Sequence, residues 1–168
     1  TIAAGVAVAE GIESTCSLAC RLRWPNDVLL DGEKVSGVLV ETRGAGPGRA
    51  VVVGAGINVN SAPPRESVDR PATSLAEHVE PPIERVEVVR GVLRAMDDWL
   101  GRVQAGALPA LHQAWMARCG MVNERVTVRF GDSTEVGRVL DVDPLGGLVL
   151  ARDDGAQVRV PPERATLL

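Results

Sequence analysis

The hydrophobic period changes at Gly120, and that change limits the chain to a two-part architecture. Before it, apolar residues recur at helical spacing: Ile2, Val6, Ala9 and Ile12 in an opening helix with one apolar face, then Val86, Val89, Leu93, Met96, Leu100 and Val103 in a run that follows Pro81-Pro82, then Leu108, Leu111, Trp115 and Cys119. After it they alternate, with Val126, Val128 and Phe130 set against Thr127 and Arg129, and Val158 and Val160 set against Gln157 and Arg159. Turn residues at Gly131-Asp132, Pro144 to Gly147 and Asp153-Asp154-Gly155 divide this stretch into four or five short strands, which suits a small antiparallel barrel. A barrel of about fifty residues buries too little to be comfortable alone, so it is expected to dock on the larger part. The expected division is 1–119 and 120–168.

Strands also punctuate the first part. Leu18 to Leu22 and Val28 to Leu30 bracket Trp24-Pro25-Asn26-Asp27, and Asp31-Gly32 is a residue pair that tight hairpins prefer because it tolerates positive φ. Val35 to Thr42 and Ala50 to Ile57 form the next pair, joined by a glycine-rich run from Gly44 to Gly48. That run lacks the Gly-Lys-Ser/Thr ending and the following helix of a phosphate loop, so it reads as a flexible turn. Val59 to Thr73 is polar, contains proline and is long enough to imply a function, which we take to be covering a ligand.

Composition narrows the function. A 45% apolar content supports a globular core, and with a net charge of −4 and no window rich in arginine, nucleic-acid binding through this segment is not expected. Apolar runs fall short of a membrane span and no leader pattern is present, which makes the cytoplasm the expected compartment. Cys16, Cys20 and Cys119 have neither paired spacing nor an even count and read as core residues. His78 and His112 have no ligand or carboxylate at useful spacing and read as solvated polar positions. Thr1 opens directly inside the helical pattern, so the sequence is expected to be the C-terminal part of something longer, with sheet edges left uncovered when taken alone.

Of the 18 basic residues, Lys34 alone is a lysine. Lysine and arginine differ most where a compact ammonium must sit against a single oxygen, a place the planar guanidinium cannot take. Lys34 lies between Trp24-Pro25-Asn26-Asp27 and Gly54-Ala55-Gly56-Ile57-Asn58. Two glycines one residue apart on a strand can let a ligand approach the backbone, whereas a dinucleotide motif would need a third glycine and a helix.

These three stretches, with Lys34 to Val40 between the outer two, closely resemble the catalytic domain of biotin protein ligases, and the trailing barrel resembles that family's SH3-like C-terminal domain. The resemblance implies an α+β fold: a mixed sheet with helices in a class II synthetase-like biotin/lipoate ligase domain, truncated at its N-terminus, then the SH3-like barrel. It implies a ligase that joins biotin and ATP into biotinyl-5′-AMP and passes the biotinyl group to a lysine of a biotin carboxyl carrier protein. Magnesium is inferred from ATP use, and a homodimer is left open.

By the same resemblance, Lys34 would touch the biotin carboxylate and the adenylate phosphate, and Asp27 would face the acceptor amine, a role that its spacing from Lys34 favours over an Asx-type cap of the turn before Val28. Asn26 reads as a ligand contact or a turn residue, Gly37 and Leu39 as biotin-pocket lining, Gly54 and Gly56 as the strand beside the adenylate, and Asn58 as a neighbour of the adenine. Trp24 supports the motif by packing. Three departures stand out: Arg23 replaces the usual lysine, and both the Gly-Arg-Gly-Arg loop and the serine/threonine strand that grips the biotin ring are missing from these residues. Two alternatives follow, a lipoate-attaching or octanoyl-transferring relative, and a non-catalytic remnant or binding module.

Overall fold

The computed structural model describes every residue except Asp69, Pro81, Pro82, Glu163 and Arg164, together with the side chain of Pro47; the expected Pro81-Pro82 helix lead-in lies outside the described residues. Helix α1 (Ile2–Cys16) is the centre of the first part. It touches α2 (Arg85–Gln104) and α3 (Leu108–Met116) on one side and strands β1 (Arg21–Arg23), β2 (Asp27–Leu30) and β3 (Glu33–Arg43) on the other. Val6, Ala7, Val8 and Ala9 are all fully buried, so the helix is covered nearly all round rather than on the single face its apolar spacing predicts. Its alanines and glycines permit this, because small side chains let two layers close on one helix.

The approach of α2 is tightest at two glycines. A Cβ added at Gly11 would lie 2.5 Å from Val92 Cα, and one added at Gly91 would lie 2.5 Å from Thr15 Oγ1. Backbone blocks the first position, so Gly11→Ala is expected to part the helices and cost about 1–3 kcal/mol. Thermal unfolding of the variant checks this, and an unchanged midpoint would show that the contact is not tight.

That crossing also decides which face of α2 is inward. Val88, Val92 and Trp99 are buried, while Val86, Val89, Leu93 and Leu100 are exposed, Leu93 at 62%. The expected core stripe of α2 is therefore corrected: the helix carries two apolar stripes, and Gly91 together with the Trp99 Nε1–H bond to Glu10 Oε2 at 2.7 Å turns the other one toward α1. In α3, Leu111 and Trp115 are buried as the spacing predicts.

β1 to β4 (Ala50–Ile57) form one sheet in sequential order with antiparallel ladders, and parallel pairing occurs in the isolated bridges Leu22–Cys119 and Lys34–Ala72. Asp31 (φ 49°) and Gly32 (φ 85°) make the expected tight turn between β2 and β3. β4 ends the sheet; Val51, Val52 and Val53 are exposed, and no strand pairs with its outer edge among the described residues. The second sheet runs β8-β7-β6-β5-β9, from β5 (Arg125–Phe130), β6 (Ser133–Asp143), β7 (Gly147–Ala151), β8 (Gln157–Val160) and β9 (Ala165–Leu167). Val128, Val139, Val142, Leu148 and Leu150 fill its interior.

The two parts meet along β1. Trp24 N–H points at Met121 Sδ at 3.2 Å and Arg23 pairs with Glu124 at 3.3 Å, while Leu22 N–H donates to Arg118 O at 2.9 Å just before the boundary. Arg118 is fixed in turn by Glu13, whose carboxylate it meets at 2.6 Å. Burial, reinforced by Glu13, pushes the Cys20 thiol up to about 12, and burial raises Cys16 and Cys119 as well, which favours the thiol over the thiolate at all three.

Candidate functional site

A cleft of about 1220 Å³ opens along β2, β3 and the end of β4, between the 58–72 loop and strand β9 of the second sheet. Asn26, Asp27, Lys34, Gly37, Leu39, Gly56 and Asn58 all line it. Gly54 does not: it lies further along β4, opposite Leu39.

Register explains how residues distant in sequence converge. Asp27 sits directly across from Gly37 on the β2–β3 ladder, and a shift in pairing after Val28 brings Lys34 opposite Leu29. The Lys34 ammonium then lies 2.5 Å from Asp27 Oδ1, with the aspartate side chain 14% exposed and the lysine 37%. Asp27 Oδ1 accepts no directed hydrogen bond among the described residues, so the contact is an ion pair. An ammonium carries three N–H donors, enough to serve a second acceptor beside the carboxylate.

Gly37 makes room for this arrangement. A Cβ there would be 3.1 Å from both Lys34 Cε and Nζ and 3.8 Å from Asp27 Oδ1. Gly37→Ala is accordingly expected to push the ammonium a few tenths of an ångström aside and slow any reaction that depends on its placement by about tenfold, since a misplaced group can cost up to about 10²-fold. Steady-state assay of the variant tests this, and parental activity would show that the ammonium has slack. Above Gly56 the space is open, with nothing within 4 Å of an added Cβ, so a ligand can reach this backbone.

Asn58 lines the cleft and also holds the backbone around it. Its side-chain amide donates to Thr73 O at 3.0 Å and to Lys34 O at 3.5 Å, and its own N–H donates to Val35 O. It ties the far end of the loop to β3. Asn26 lines the cleft through the turn, where its carbonyl accepts from Val38 N–H at 2.9 Å. Trp24 is fully buried, in keeping with a packing role, and its peptide to Pro25 is cis. Arg23 points away to Glu124.

Two features were not anticipated. Arg70, from the loop, lines the cleft and donates to Leu167 O of β9 at 3.3 Å, so the second sheet contributes a wall. Neither histidine is a solvated bystander: His78 lies between Thr73 Oγ1 (2.9 Å) and Asp31 Oδ2 (3.2 Å), and His112 Nε2 is 2.7 Å from Asp141 Oδ1 across the α3–β6 contact. Their partners come from remote segments, which local spacing cannot reveal.

Comparison with known proteins places the chain in a family. Residues 2–58 match the biotin/lipoate A/B protein ligase family and residues 122–161 the biotin protein ligase C terminal domain. The chain is 33% identical over 161 residues to a biotin–[acetyl-CoA-carboxylase] ligase of Paracoccus denitrificans, covering 92% of this chain and 67% of that protein. It is 34% identical over 154 residues to the enzyme of that name from Mycobacterium tuberculosis, covering 89% of this chain and 55% of that one. The structure superposes on the Aquifex aeolicus biotin protein ligase solved with biotin and ATP, with a TM-score of 0.85 and 26% identity, over 99% of this chain and 69% of that one. The chain belongs to the biotin protein ligase family.

Proposed function

We propose that this chain supplies the adenylate-forming and acyl-transfer half of a biotin protein ligase, with residues 1–119 as the catalytic part and 120–168 as the SH3-like domain. The observation that carries the reading is the Lys34–Asp27 pair, set in a cleft over a glycine that leaves room for it. In the first step a biotin carboxylate oxygen attacks the α-phosphorus of ATP, the bond to pyrophosphate breaks, and pyrophosphate leaves. Negative charge accumulates at that centre, and an ammonium already in place stabilises it without reorganisation. Magnesium would enter with the nucleotide, because among the described residues no group of three or more carboxylate, histidine or cysteine side chains is placed to hold a metal ion.

In the second step the amine of a carrier-protein lysine attacks the acyl carbon and AMP departs. Asp27 serves the two steps in turn: while the cleft is empty it balances Lys34, and once Lys34 is engaged by the acyl-adenylate, its carboxylate is free to orient the acceptor amine and take up its proton. Gly37 and Leu39 line the biotin side, Asn26, Gly56 and Asn58 border the nucleotide side with Gly54 further along the same strand, and the 59–73 loop closes over the product. Biotin-dependent exchange of pyrophosphate into ATP, measured on the full-length protein containing this chain, tests the reading. Absence of exchange would favour a non-catalytic binding module.

A further inference from the structure

Lys34 can place its ammonium only as well as its own backbone is placed, and that backbone is held from the side. Lys34 N–H donates to Pro71 O at 2.9 Å, and Thr73 N–H donates to Lys34 O at 3.0 Å, so the 71–73 segment brackets the residue. Asn58 also holds this segment through Thr73 O, and a side-chain relay outside the cleft links it to the turn before β3. The Thr73 hydroxyl, on a residue 1% exposed, meets His78 Nε2 at 2.9 Å, and His78 Nδ1 meets Asp31 Oδ2 at 3.2 Å. Asp31 stands in the tight turn that leads directly into β3 and Lys34. The relay therefore closes a ring: turn, imidazole, hydroxyl, and back through the 71–73 peptides to Lys34.

The Thr73 hydroxyl has a second neighbour in the Glu77 carboxylate, which also accepts from Ser74 N–H at 3.1 Å and from its hydroxyl at 2.7 Å, but it is His78 that is paired with Asp31 of the turn. The Asn58 amide reaches Thr73 O, not its hydroxyl. His78 is a mostly buried side chain, 17% exposed, and spans the gap between the mostly exposed Asp31 and the buried Thr73. Without it the 71–73 segment would keep its backbone bonds but lose its tie to the turn.

We infer that His78 is a positioning residue: it locks the 71–73 segment against the Asp31 turn and thereby fixes Lys34, whose role in charge stabilisation is the reading proposed above. The composition offers a direct probe, because the chain has a single lysine and a single phenylalanine. Labelling the full-length protein with [15N]lysine and [15N]phenylalanine, with the two amides assigned by substitution at each position, follows Lys34 in the bracket and Phe130 in the distant second sheet.

Hydrogen exchange of these two amides, under conditions where exchange reports local opening, decides the structural half. In His78→Ala the protection of Lys34 is expected to fall about tenfold or more while that of Phe130 stays unchanged. His78→Gln, whose amide can still reach Thr73 Oγ1, is expected to restore most of it. Equal loss at both amides, or no loss at Lys34, overturns the inference.

The functional half uses pyrophosphate exchange by the full-length protein. His78→Ala is expected to lower kcat about tenfold, with the KM for ATP within about twofold of the parent and recovery in His78→Gln. An unchanged kcat overturns the positioning role. Lys34→Ala, assayed alongside, separates this from the underlying reading: if it retains parental activity the charge role of Lys34 fails, while the amide data still decide what His78 does to Lys34.

Discussion

Replacing Lys34 by arginine is expected to lower biotin-dependent pyrophosphate exchange by roughly 10²- to 10³-fold, the scale of losing one positioned electrostatic stabiliser, while leaving the fold intact. Charge is conserved in this variant, so the loss would have to come from shape. The ammonium lies beside Gly37, where even an added Cβ would approach to 3.1 Å, and beside a mostly buried Asp27. A guanidinium is wider, and its planar fork pairs with a carboxylate through two parallel bonds. The substituted side chain would thus be drawn into a two-bond pair with Asp27, and its remaining N–H groups, fixed in the plane of the fork, would not stand where the ammonium stands. Exchange within a few-fold of the parent would mean that the solitary lysine is a coincidence of composition.

Asp27→Asn is expected to separate the two steps. Adenylate formation should stay within a few-fold of the parent, and transfer to the carrier lysine should slow by about 10²-fold, the lower range for removing a general base. The amide matches the carboxylate in shape, so Gly37 and the β2–β3 register can remain as they are, but it carries no charge to orient an ammonium and no site to accept its proton. Single-turnover transfer from preformed biotinyl-adenylate isolates this step. Equal slowing of both steps would assign Asp27 a structural or adenylate-binding role.

Local chemistry made much of this legible in advance. The strands were visible as valine-rich runs, and the Asp31-Gly32 turn was visible because few residue pairs suit two consecutive positive φ angles. Asn26, Asp27, Lys34, Gly37, Leu39, Gly56 and Asn58 do share one cleft, because two antiparallel ladders place their short motifs side by side. What stayed hidden depends on contacts between remote segments. Val86, Val89 and Leu93 have the spacing of a core face as surely as Val88, Val92 and Trp99, and the choice between them is made by glycines on two different helices. His78 and His112 looked isolated for the same reason: Asp31 and Asp141 reach them only after the chain has folded back.

The junction at β1 has a mechanical meaning. Leu22, Arg23 and Trp24, which carry three successive attachments to the 118–124 segment, run straight into Pro25, Asn26 and Asp27 at the cleft floor. A tilt of the second sheet therefore cannot be absorbed in a slack linker; it pulls on a strand whose next residues hold the carboxylate. On the other side the same sheet grips the loop through Arg70 and Leu167. The cleft is thus joined to one body at both floor and rim, so a rocking of that body would change the width of the cleft and not merely its orientation.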